Sequence, residues 1–299
     1  MIRFISLIIT FLSALILLLL AFGMVNEKTQ MERLDKDLQT IQAKITEQQQ
    51  ANMLLQQTLT EKTEERDIVK ADVEIKLHRE GYKTTPTAFL TFDDGMSANT
   101  MKILDILKEY NIKATFFVVG SQVMSTQVGQ QAIVRAAEEG HTIAIHAYNH
   151  EYDKIYQSEE AYFEDLYRCR DLIKELTGQT PTIVRLPSGT ASAQSFCKQY
   201  GDEGLFDRIL QRLTNEGYTI NDWNIDTKDW SSATTVEGIV DTVAKGGKNR
   251  LNATYKTALV LMHDGKKTYT ALPDVIETLQ TQGYVFEVLP KEFYIYRQR

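Results

Sequence analysis

The chain has few cysteines and no excess of basic residues. Only Cys169 and Cys197 occur, without a CxxC pair, which argues against a cysteine-based zinc site. The two could form one disulfide outside the cell, but we expect two unpaired thiols. The formal net charge of -7 argues against non-specific binding of nucleic acid, which requires a basic surface. With 299 residues, 43% of them hydrophobic, the chain can form one large domain with accessory segments.

Charged side chains are absent from residues 4–25. As a helix this segment would be about 33 Å long, enough to cross a hydrocarbon core of roughly 30 Å. A cleaved signal peptide is the alternative, although its apolar core normally has only about 7–15 residues. We favour a retained single-pass membrane anchor over residues 1–25. Arg3 and the terminal amine favour a cytoplasmic N-terminus, which places the remaining chain on the cell-wall side.

Glycine, proline and aromatic residues are absent from residues 26–80, where good helix formers dominate, so the segment predicts a helical stalk. Apolar residues follow the heptad spacing of a coiled coil at Leu34, Leu38, Ile41, Ile45, Leu55, Leu59, Val69 and Val73. The same seam also contains Gln48, Asn52, Lys62 and Arg66. Two interpretations stay open: a coiled coil that forms a homodimer, and a single solvated helix that acts as a spacer of up to roughly 80 Å.

Residues 81–299 differ from the stalk, because short apolar runs here alternate with amphipathic stretches. The apolar runs predict strands at residues 88–92, 114–119, 142–146, 182–185, 219–225, 257–263 and 285–289. The amphipathic stretches predict helices at residues 99–110, 127–139, 159–176, 204–216, 236–244 and 272–282. Strict alternation implies an α/β fold with parallel strands, in either a barrel or an open doubly wound sheet.

Polar residues follow five of the predicted strands. They are Asp93 and Asp94 after the first, His146 and His150 after the third, Arg185 after the fourth, Asp226 and Asp229 after the fifth, and His263 after the sixth. In a barrel these strand ends converge on one face, whereas in an open sheet they would be spread along a line. We therefore favour a barrel.

His146 and His150 are spaced i, i+4, which on a helical turn would place both imidazoles on one side. A carboxylate from elsewhere would complete three protein ligands for a metal and leave one position for water. Asp93 and Asp94 repel each other, and cation binding by one would leave the other free to act as a base. A pair of surface histidines and an ordinary Asp-Asp-Gly turn are the alternatives. The position of both pairs at strand ends favours a metal site.

Three further residues suggest roles in the chemistry. Arg185 could hold the base in place through its guanidinium. His263 could act as an acid if Asp229 raises its pKa. Trp230 could offer an apolar wall to a sugar or an acetyl methyl group, or it could be a core residue.

Five short motifs in this region resemble those of polysaccharide deacetylases, the carbohydrate esterase family that includes the nodulation chitooligosaccharide deacetylases. The motifs are Thr91-Phe92-Asp93-Asp94-Gly95, His146-Ala147-Tyr148-Asn149-His150, Arg185-Leu186-Pro187-Ser188-Gly189, Asp226-Thr227-Lys228-Asp229-Trp230 and Leu261-Met262-His263. They occur in the family's order over residues 83–289. The resemblance therefore covers the third region and says nothing about the stalk.

The resemblance implies a deformed (β/α) barrel of seven to eight strands and a bound divalent metal ion. The metal is commonly zinc in the family, with cobalt or another transition metal as the alternatives. By the same resemblance, the metal ligands would be Asp94, His146 and His150. Asp93 would be the catalytic base and His263 the acid.

The remaining family roles fall on residues around these five. Arg185 would orient the base, Asp229 would tune the acid, and Trp230 would line the acetyl pocket. Ser188 stands where many members have an aromatic residue, and its backbone N–H would still help to form the oxyanion hole.

The sequence also departs from the family pattern at Ala147. It replaces a Ser or Thr, so the metal would bind more weakly or rely on support from another group. Residues 190–203 form a longer segment than in compact members and could shape the substrate groove.

The anchor and the stalk would hold this domain outside the membrane, where peptidoglycan is the abundant polymer. We therefore predict a metal-dependent hydrolase that removes N-acetyl groups from peptidoglycan N-acetylglucosamine, with N-acetylmuramic acid or another wall glycan still open. One alternative is an esterase that removes O-acetyl groups from a xylan-like glycan. Another is a catalytically silent wall-binding scaffold protein.

Overall fold

The computed structural model describes residues 2–200, 202–292 and 294. The chain divides into two compact units, Met1–Val73 and Glu74–Arg299. One helix, α1, runs over Ile2–Gly81 and therefore contributes to both units. Its last residue lies one position beyond the predicted end of the stalk at residue 80, while the division into anchor, stalk and catalytic domain stays a prediction.

Within the first unit, α1 is a continuous helix, and several of its threonines donate to the carbonyl four residues earlier. Among the described residues, one helix is long and apolar enough to cross a membrane, and it is the stretch of α1 from Thr10 onward. The apolar residues of the heptad seam are each at least half exposed. This exposure is compatible with a dimer and with a single helix, so both interpretations of the stalk stay open.

The described part of the second unit is built around eight parallel strands. They are β1 (Thr87–Asp93), β2 (Thr115–Val119), β3 (Thr142–Ala147), β4 (Ile183–Val184), β5 (Thr219–Ile220), β6 (Ile225–Asp226), β7 (Thr257–His263) and β8 (Val285–Phe286). The sheet order is β5-β4-β3-β2-β1-β7-β6, and β8 pairs with the beginning of β1. The strands β1 and β2 are buried along their whole length, as expected for parallel strands covered on both faces.

Within the described residues, nine helices connect or follow these strands. They are α2 (Ala98–Glu109), α3 (Gly120–Ser125), α4 (Gln127–Glu138), α5 (Tyr152–Ile155), α6 (Glu159–Thr177), α7 (Gly189–Gln199), α8 (Leu205–Asn215), α9 (Val236–Leu251) and α10 (Lys266–Thr281). Side chains of Ser97, Thr126, Ser158 and Thr235 cap four of them at the N-terminus. All six predicted helices are present, while α3, α5 and α7 were not predicted. Most of the segment at residues 190–203 is the helix α7. The helix α10 begins at Lys266, six residues before the predicted start at residue 272, and contains Pro273.

The single strand predicted at residues 219–225 is in fact two short strands that pair with opposite edges of the sheet. The backbone N–H of Asn221 donates to the carbonyl of Val184 on one side. The backbone N–H of Asn224 donates to the carbonyl of Leu259 on the other side. The chain between β5 and β6 thus joins the two edges of a curled sheet. The predicted deformed (β/α) barrel is confirmed, with its deformation where the ladder is interrupted between these strands.

The interior of the barrel changes from apolar to polar along several of the strands. Near the amino ends it is filled by a cluster that includes Phe89, Phe117, Ala144, Ile183 and Leu259. Alternate residues of a strand face the same side, and several inward-facing positions further along are polar. They are Thr91 and Asp93 on β1, His146 on β3, Arg185 after β4 and His263 on β7. The sequence period of two therefore places the polar residues together at the carboxyl ends of the strands.

Candidate functional site

A cavity of about 500 Å³ opens at the carboxyl ends of the strands. Of the residues predicted from the sequence, it is lined by Asp93, Asp94, His146, His150, Ser188, Asp226, Trp230 and His263. It is also lined by Tyr152, Ser192, Trp223 and Leu261. Arg185 and Asp229 are buried and bond to residues of the cavity wall. The structure thus brings together every residue that the sequence singled out, while their chemical roles remain predictions.

Four residues that follow strands at this face have left-handed backbone conformations that are costly for residues other than glycine. They are Asp94 (φ 71), His150 (φ 58), Ser188 (φ 66) and Lys228 (φ 53). Consecutive residues of a strand normally point to opposite faces. The left-handed conformation of Asp94 ends this alternation, and both Asp93 and Asp94 line the cavity. Such strain persists only where surrounding contacts hold it, and it is commonly found at functional sites.

The histidine pair does not lie on a helical turn. His146 lies on the strand β3, and His150 follows three residues after the strand-end residue Ala147 with a left-handed backbone conformation. This local geometry brings the two imidazoles together at the end of the strand. The Nε2 atoms of the two rings are 3.2 Å apart.

Asp94, His146 and His150 form a group that could hold a metal ion. Oδ1 of Asp94 lies 3.5 Å from Nε2 of His146 and 3.4 Å from Nε2 of His150. Ligand atoms about 2.0–2.1 Å from a tetrahedral cation would lie roughly 3.3 Å apart, so these three separations fit one cation. Oδ1 of Asp94 is also buried without a hydrogen-bond partner among the described residues. A buried carboxylate oxygen is costly without a partner, and a cation would supply one.

The hydrogen bonding and burial of the two histidines suit this purpose. Nδ1 of His146 lies 2.7 Å from the carbonyl oxygen of Arg185, so Nδ1–H donates to that oxygen and Nε2 is the ring nitrogen that faces His150 and Asp94. Burial, and then the neighbouring His146, lowers the pKa of His150 below its ordinary value. A neutral imidazole with a free lone pair is the form that binds a metal.

Arg185 is completely buried and holds Asp93 from below. Its Nη1 donates to Oδ1 of Asp93 at 2.7 Å and to Oγ1 of Thr91 at 2.9 Å. Its Nε and Nη2 donate to the carbonyl oxygens of Asn221 and Asp222 at 3.0 and 2.8 Å. The guanidinium therefore fixes one oxygen of Asp93, while Oδ2 of Asp93 lies 3.8 Å from Nε2 of His146.

His263 and Asp229 form a second pair across the cavity floor. Oδ1 of Asp229 lies 2.8 Å from Nδ1 of His263, and Oδ2 accepts the backbone N–H of His263 and the hydroxyl of Thr268. Burial alone would lower the pKa of His263, but the hydrogen bond to Asp229 and the charges of Asp93 and Asp94 raise it to about 9. Burial would raise the pKa of Asp229, but its contacts with His263 lower it. The imidazole is thus protonated at neutral pH.

The structure answers two questions that the sequence left open, one on Trp230 and one on the two cysteines. Trp230 is 66% exposed and lines the cavity, so it is not a core residue. Cys169 and Cys197 are both buried and free, as expected. Burial raises the pKa of the Cys197 thiol to about 11, and it therefore stays protonated.

Sequence reasoning missed two acidic residues that support the site. Asp165 on α6 accepts the backbone N–H groups of Tyr148 and Asn149 between the two histidines. Asp222 is completely buried and accepts the backbone N–H of Thr190 in the first turn of α7. Neither residue belongs to a short motif, and each acts on residues distant in the sequence. The signal that could have found them is an acidic residue at an otherwise buried position.

Two aromatic residues of the cavity wall were also missed. Trp223 packs so closely on Gly189 that a Cβ atom there would lie 2.7 Å from its ring. Tyr152 stacks on Phe196 of α7 with ring centroids 5.0 Å apart and contacts His150 edge-on. Together with Trp230 they give the cavity the aromatic surface on which a sugar ring can pack.

Comparison with known proteins gives the family. Residues 80–204 match the family model described as polysaccharide deacetylase, which includes the first three of the five motifs. The crystal structure of the catalytic domain of peptidoglycan N-acetylglucosamine deacetylase from Eubacterium rectale superposes with a TM-score of 0.64 and 32% identity, covering 72% of this chain and 93% of that chain. The chain belongs to the polysaccharide deacetylase family.

Two curated relatives agree with this assignment. YheN of Bacillus subtilis is 31% identical over 208 residues, which are 68% of this chain and 67% of that protein. A peptidoglycan-N-acetylglucosamine deacetylase of Bacillus cereus is 29% identical over 212 residues, or 70% of this chain and 71% of that protein. Polysaccharide deacetylases are hydrolases and metalloenzymes, so the group of Asp94, His146 and His150 is where a metal would be held. The last two motifs lie outside the family match, but the fold places them in the same cavity.

Proposed function

We propose that this polysaccharide deacetylase removes the N-acetyl group of N-acetylglucosamine in peptidoglycan. The observation that carries the proposal is the arrangement of Asp93. Arg185 holds one of its oxygens, and the other faces the proposed ligand His146 at 3.8 Å. A carboxylate fixed beside a metal site can act as a base toward water bound there.

The proposed metal ligands are Asp94, His146 and His150, and the proposed metal is Zn²⁺. Two imidazoles and one carboxylate with a position left for water are typical of catalytic zinc. A bound divalent cation would polarise the amide carbonyl and lower the pKa of a coordinated water.

Two residues, Asp93 and His263, carry out the two proton transfers. Asp93 takes a proton from the attacking water, whose oxygen adds to the acetyl carbon. The backbone N–H of Ser188 donates to the developing oxyanion. His263 gives its proton to the amine nitrogen as the C–N bond breaks, which leaves acetate and a free amino sugar. Asp229 supports this step because its hydrogen bond helps to raise the pKa of His263 to about 9, so that His263 carries a proton at neutral pH.

The choice of substrate is supported by the names of the relatives and by the anchor. Two of the proteins compared above are named peptidoglycan N-acetylglucosamine deacetylases. A membrane helix with a cytoplasmic N-terminus would place residues 81–299 on the cell-wall side, within reach of peptidoglycan. In this arrangement residues 1–25 are the anchor, residues 26–80 the stalk and residues 81–299 the catalytic domain. Trp230 would pack on the acetyl methyl group or on the sugar ring.

We also propose that the stalk forms a parallel homodimer. The heptad spacing of the apolar seam supports this, because a second anchored copy would run alongside in the same direction and cover the seam. A cysteine at Leu55, on the seam, should cross-link two copies under mild oxidation. The matched cysteine at Gln57, on the opposite face, should not. Equal cross-linking of both variants would leave the single-helix spacer as the better interpretation.

The test of the enzymatic function is acetate release by the full-length protein in detergent micelles. We expect release from purified peptidoglycan, loss of release in EDTA and recovery with Zn²⁺ or Co²⁺. Asp93→Asn should abolish it, and the matched variant Asp241→Asn on the exposed surface of α9 should not. Release from acetylated xylan alone would make the protein an esterase. Binding of wall glycan by the metal-loaded protein without any acetate release would make it a scaffold.

A further inference from the structure

The turn between His146 and His150 needs support that its own residues do not supply. Ala147 is buried and has no hydroxyl to bond within the turn. His150 has a left-handed conformation with φ 58, which costs on the order of 1–3 kcal/mol for such a residue. The two proposed ligands lie at the ends of this strained turn. Their relative positions stay fixed only if contacts from other parts of the chain hold the turn.

Asp165 provides these contacts from α6. Its Oδ2 accepts the backbone N–H of Tyr148 at 2.6 Å, and its Oδ1 accepts the backbone N–H of Asn149 at 3.0 Å. The residue is only 9% exposed, so the two bonds are largely shielded from water. Both oxygens of one carboxylate thus hold two successive peptide groups, which fixes the direction of the chain as it enters His150.

The ring and the carbonyl of Tyr148 are held at the same time. The backbone N–H of Ser121 donates to the carbonyl of Tyr148 at 2.8 Å. Gly120 leaves room for the ring, since a Cβ atom there would lie 2.5 Å from it. The guanidinium of Arg168 lies 3.6 Å from the ring centroid on the other side. Arg168 and Asp165 are three residues apart on α6 and share one face of that helix.

We propose that Asp165 is a positioning residue for the metal site, which fixes the turn between His146 and His150 so that both Nε2 atoms point at one cation. It supplies from α6 the support that a hydroxyl at position 147 would otherwise give. The inference rests on the metal site in the proposed function. Supports of this kind typically change metal affinity by about 10–100-fold.

The test is zinc affinity of the full-length protein in micelles, measured by competition with a chromophoric chelator. In Asp165→Asn an amide NH₂ replaces one of the two acceptors and faces a backbone N–H, so one bond is lost at unchanged shape. We expect its zinc Kd to be about 10–100-fold higher than that of the wild type. The rise in Tm on adding a fixed zinc concentration should be correspondingly smaller, because that rise depends on the ratio of zinc concentration to Kd.

Glu164→Gln is the matched control, since it removes the same charge from the neighbouring exposed position of α6. Its zinc Kd should stay within about threefold of the wild type. An Asp165→Asn protein that also stays within this range would overturn the proposal, and so would an equal loss in Glu164→Gln. If Asp165→Asn fails to fold, Arg168→Gln is measured instead, because it removes the guanidinium that packs on the ring of Tyr148 and changes only an exposed position. An unchanged zinc Kd in Arg168→Gln would then count against the proposed support of the turn by α6. Since the readout is metal binding, absence of acetate release from every glycan would reject the proposed function and leave this test intact.

Discussion

Nη1 of Arg185 lies 2.7 Å from Oδ1 of Asp93, with neither side chain open to solvent. The pair joins the end of β4 to the end of β1 and lies directly beneath the three proposed metal ligands. A buried ion pair needs its remaining polar atoms satisfied. Arg185 meets this requirement through Thr91 and two backbone carbonyls. Asp93, the proposed base, is therefore held in one orientation before any substrate arrives.

Replacement of Arg185 by lysine should remove the contacts that fix the orientation of Asp93, the proposed base. Lysine keeps the charge but offers a single ammonium, which cannot reach Asp93 and the carbonyls of Asn221 and Asp222 together. We expect kcat/KM to fall on the order of 100-fold, equivalent to about 3 kcal/mol, with bound metal unchanged. Arg170→Lys, at an exposed ion pair on α6, is the control and should be neutral. An Arg185→Lys enzyme with wild-type kcat/KM would show that this contact does not orient the base.

The pH profile should reveal the coupling between Asp229 and His263. Asp229 is one of the groups that raise the pKa of His263 to about 9, so the protonated acid is lost as pH rises through that value. Asp229→Asn removes the charge and lowers this pKa. We therefore expect the alkaline limb of kcat/KM to move to lower pH. Thr268→Val, which keeps the ion pair and removes only a hydroxyl bonded to Asp229, should move it less. An alkaline limb at the same pH in Asp229→Asn would contradict the assignment of His263 as the acid.

The free energy of unfolding should fall in mild acid because of His141, a buried residue to which we assign no catalytic role. Burial, and then the charge of Lys113, lowers the pKa of His141 from 6.5 to about 4, with Glu139 opposing and Arg135 reinforcing. The unfolded chain therefore takes up this proton first as pH falls. The free energy of unfolding should decrease between pH 6.5 and 4, by up to about 3 kcal/mol from this group.

His141→Asn isolates this contribution, because an Asn oxygen can still accept the backbone N–H of Ala114. Unfolding by urea can be followed by the fluorescence of Trp223 and Trp230, the two tryptophans of the chain. The difference between variant and wild type should change across pH 4–6.5 and stay flat above it. His78→Asn, at a half-exposed histidine, is the control. A constant difference over the whole range would contradict burial of a neutral His141.

Glycine should be required at position 189 because of its left-handed backbone conformation and because of the nearby ring of Trp223. A matched variant at Gly178 separates these two effects. Gly189 has φ +78, and a Cβ atom there would lie 2.7 Å from the ring of Trp223. Gly178 has φ +72 and open space around it. Gly178→Ala should cost about 1 kcal/mol of unfolding free energy from backbone strain alone. Gly189→Ala should cost a further 1–3 kcal/mol, roughly, because the ring must move. Equal losses in both variants would show that Trp223 is not packed as described.

Much of the fold and the site could be predicted from the sequence, because strand positions and strand-end residues are local properties. Asp93, His146 and His263 each follow an apolar run, and the carboxyl ends of parallel strands meet at one face. The motif resemblance then assigned the metal to Asp94 and the base to Asp93, and it added Ser188, whose neighbours alone gave no role. These predictions needed no knowledge of how distant segments pack.

The features that were missed or wrong depend on tertiary contacts. Asp165 contacts a turn that lies 16 and 17 residues earlier in the chain, and nothing near it marks that contact. The split of the predicted strand at residues 219–225 occurs because its two halves pair with different neighbours. The i, i+4 spacing of the histidine pair would bring the rings together on a helical turn, whereas the structure brings them together with a strand residue and a left-handed residue.

The most direct test of the account separates the two adjacent aspartates at the end of β1. Metal content per chain and acetate release are measured on Asp93→Asn and Asp94→Ala after loading with Zn²⁺ and removal of the excess. We expect Asp93→Asn to hold one metal ion and to lose turnover on the order of 1000-fold, as removal of a general base does. We expect Asp94→Ala to lose both metal and turnover. Stoichiometric metal in Asp94→Ala, or wild-type acetate release by Asp93→Asn, would contradict the division of these residues into ligand and base.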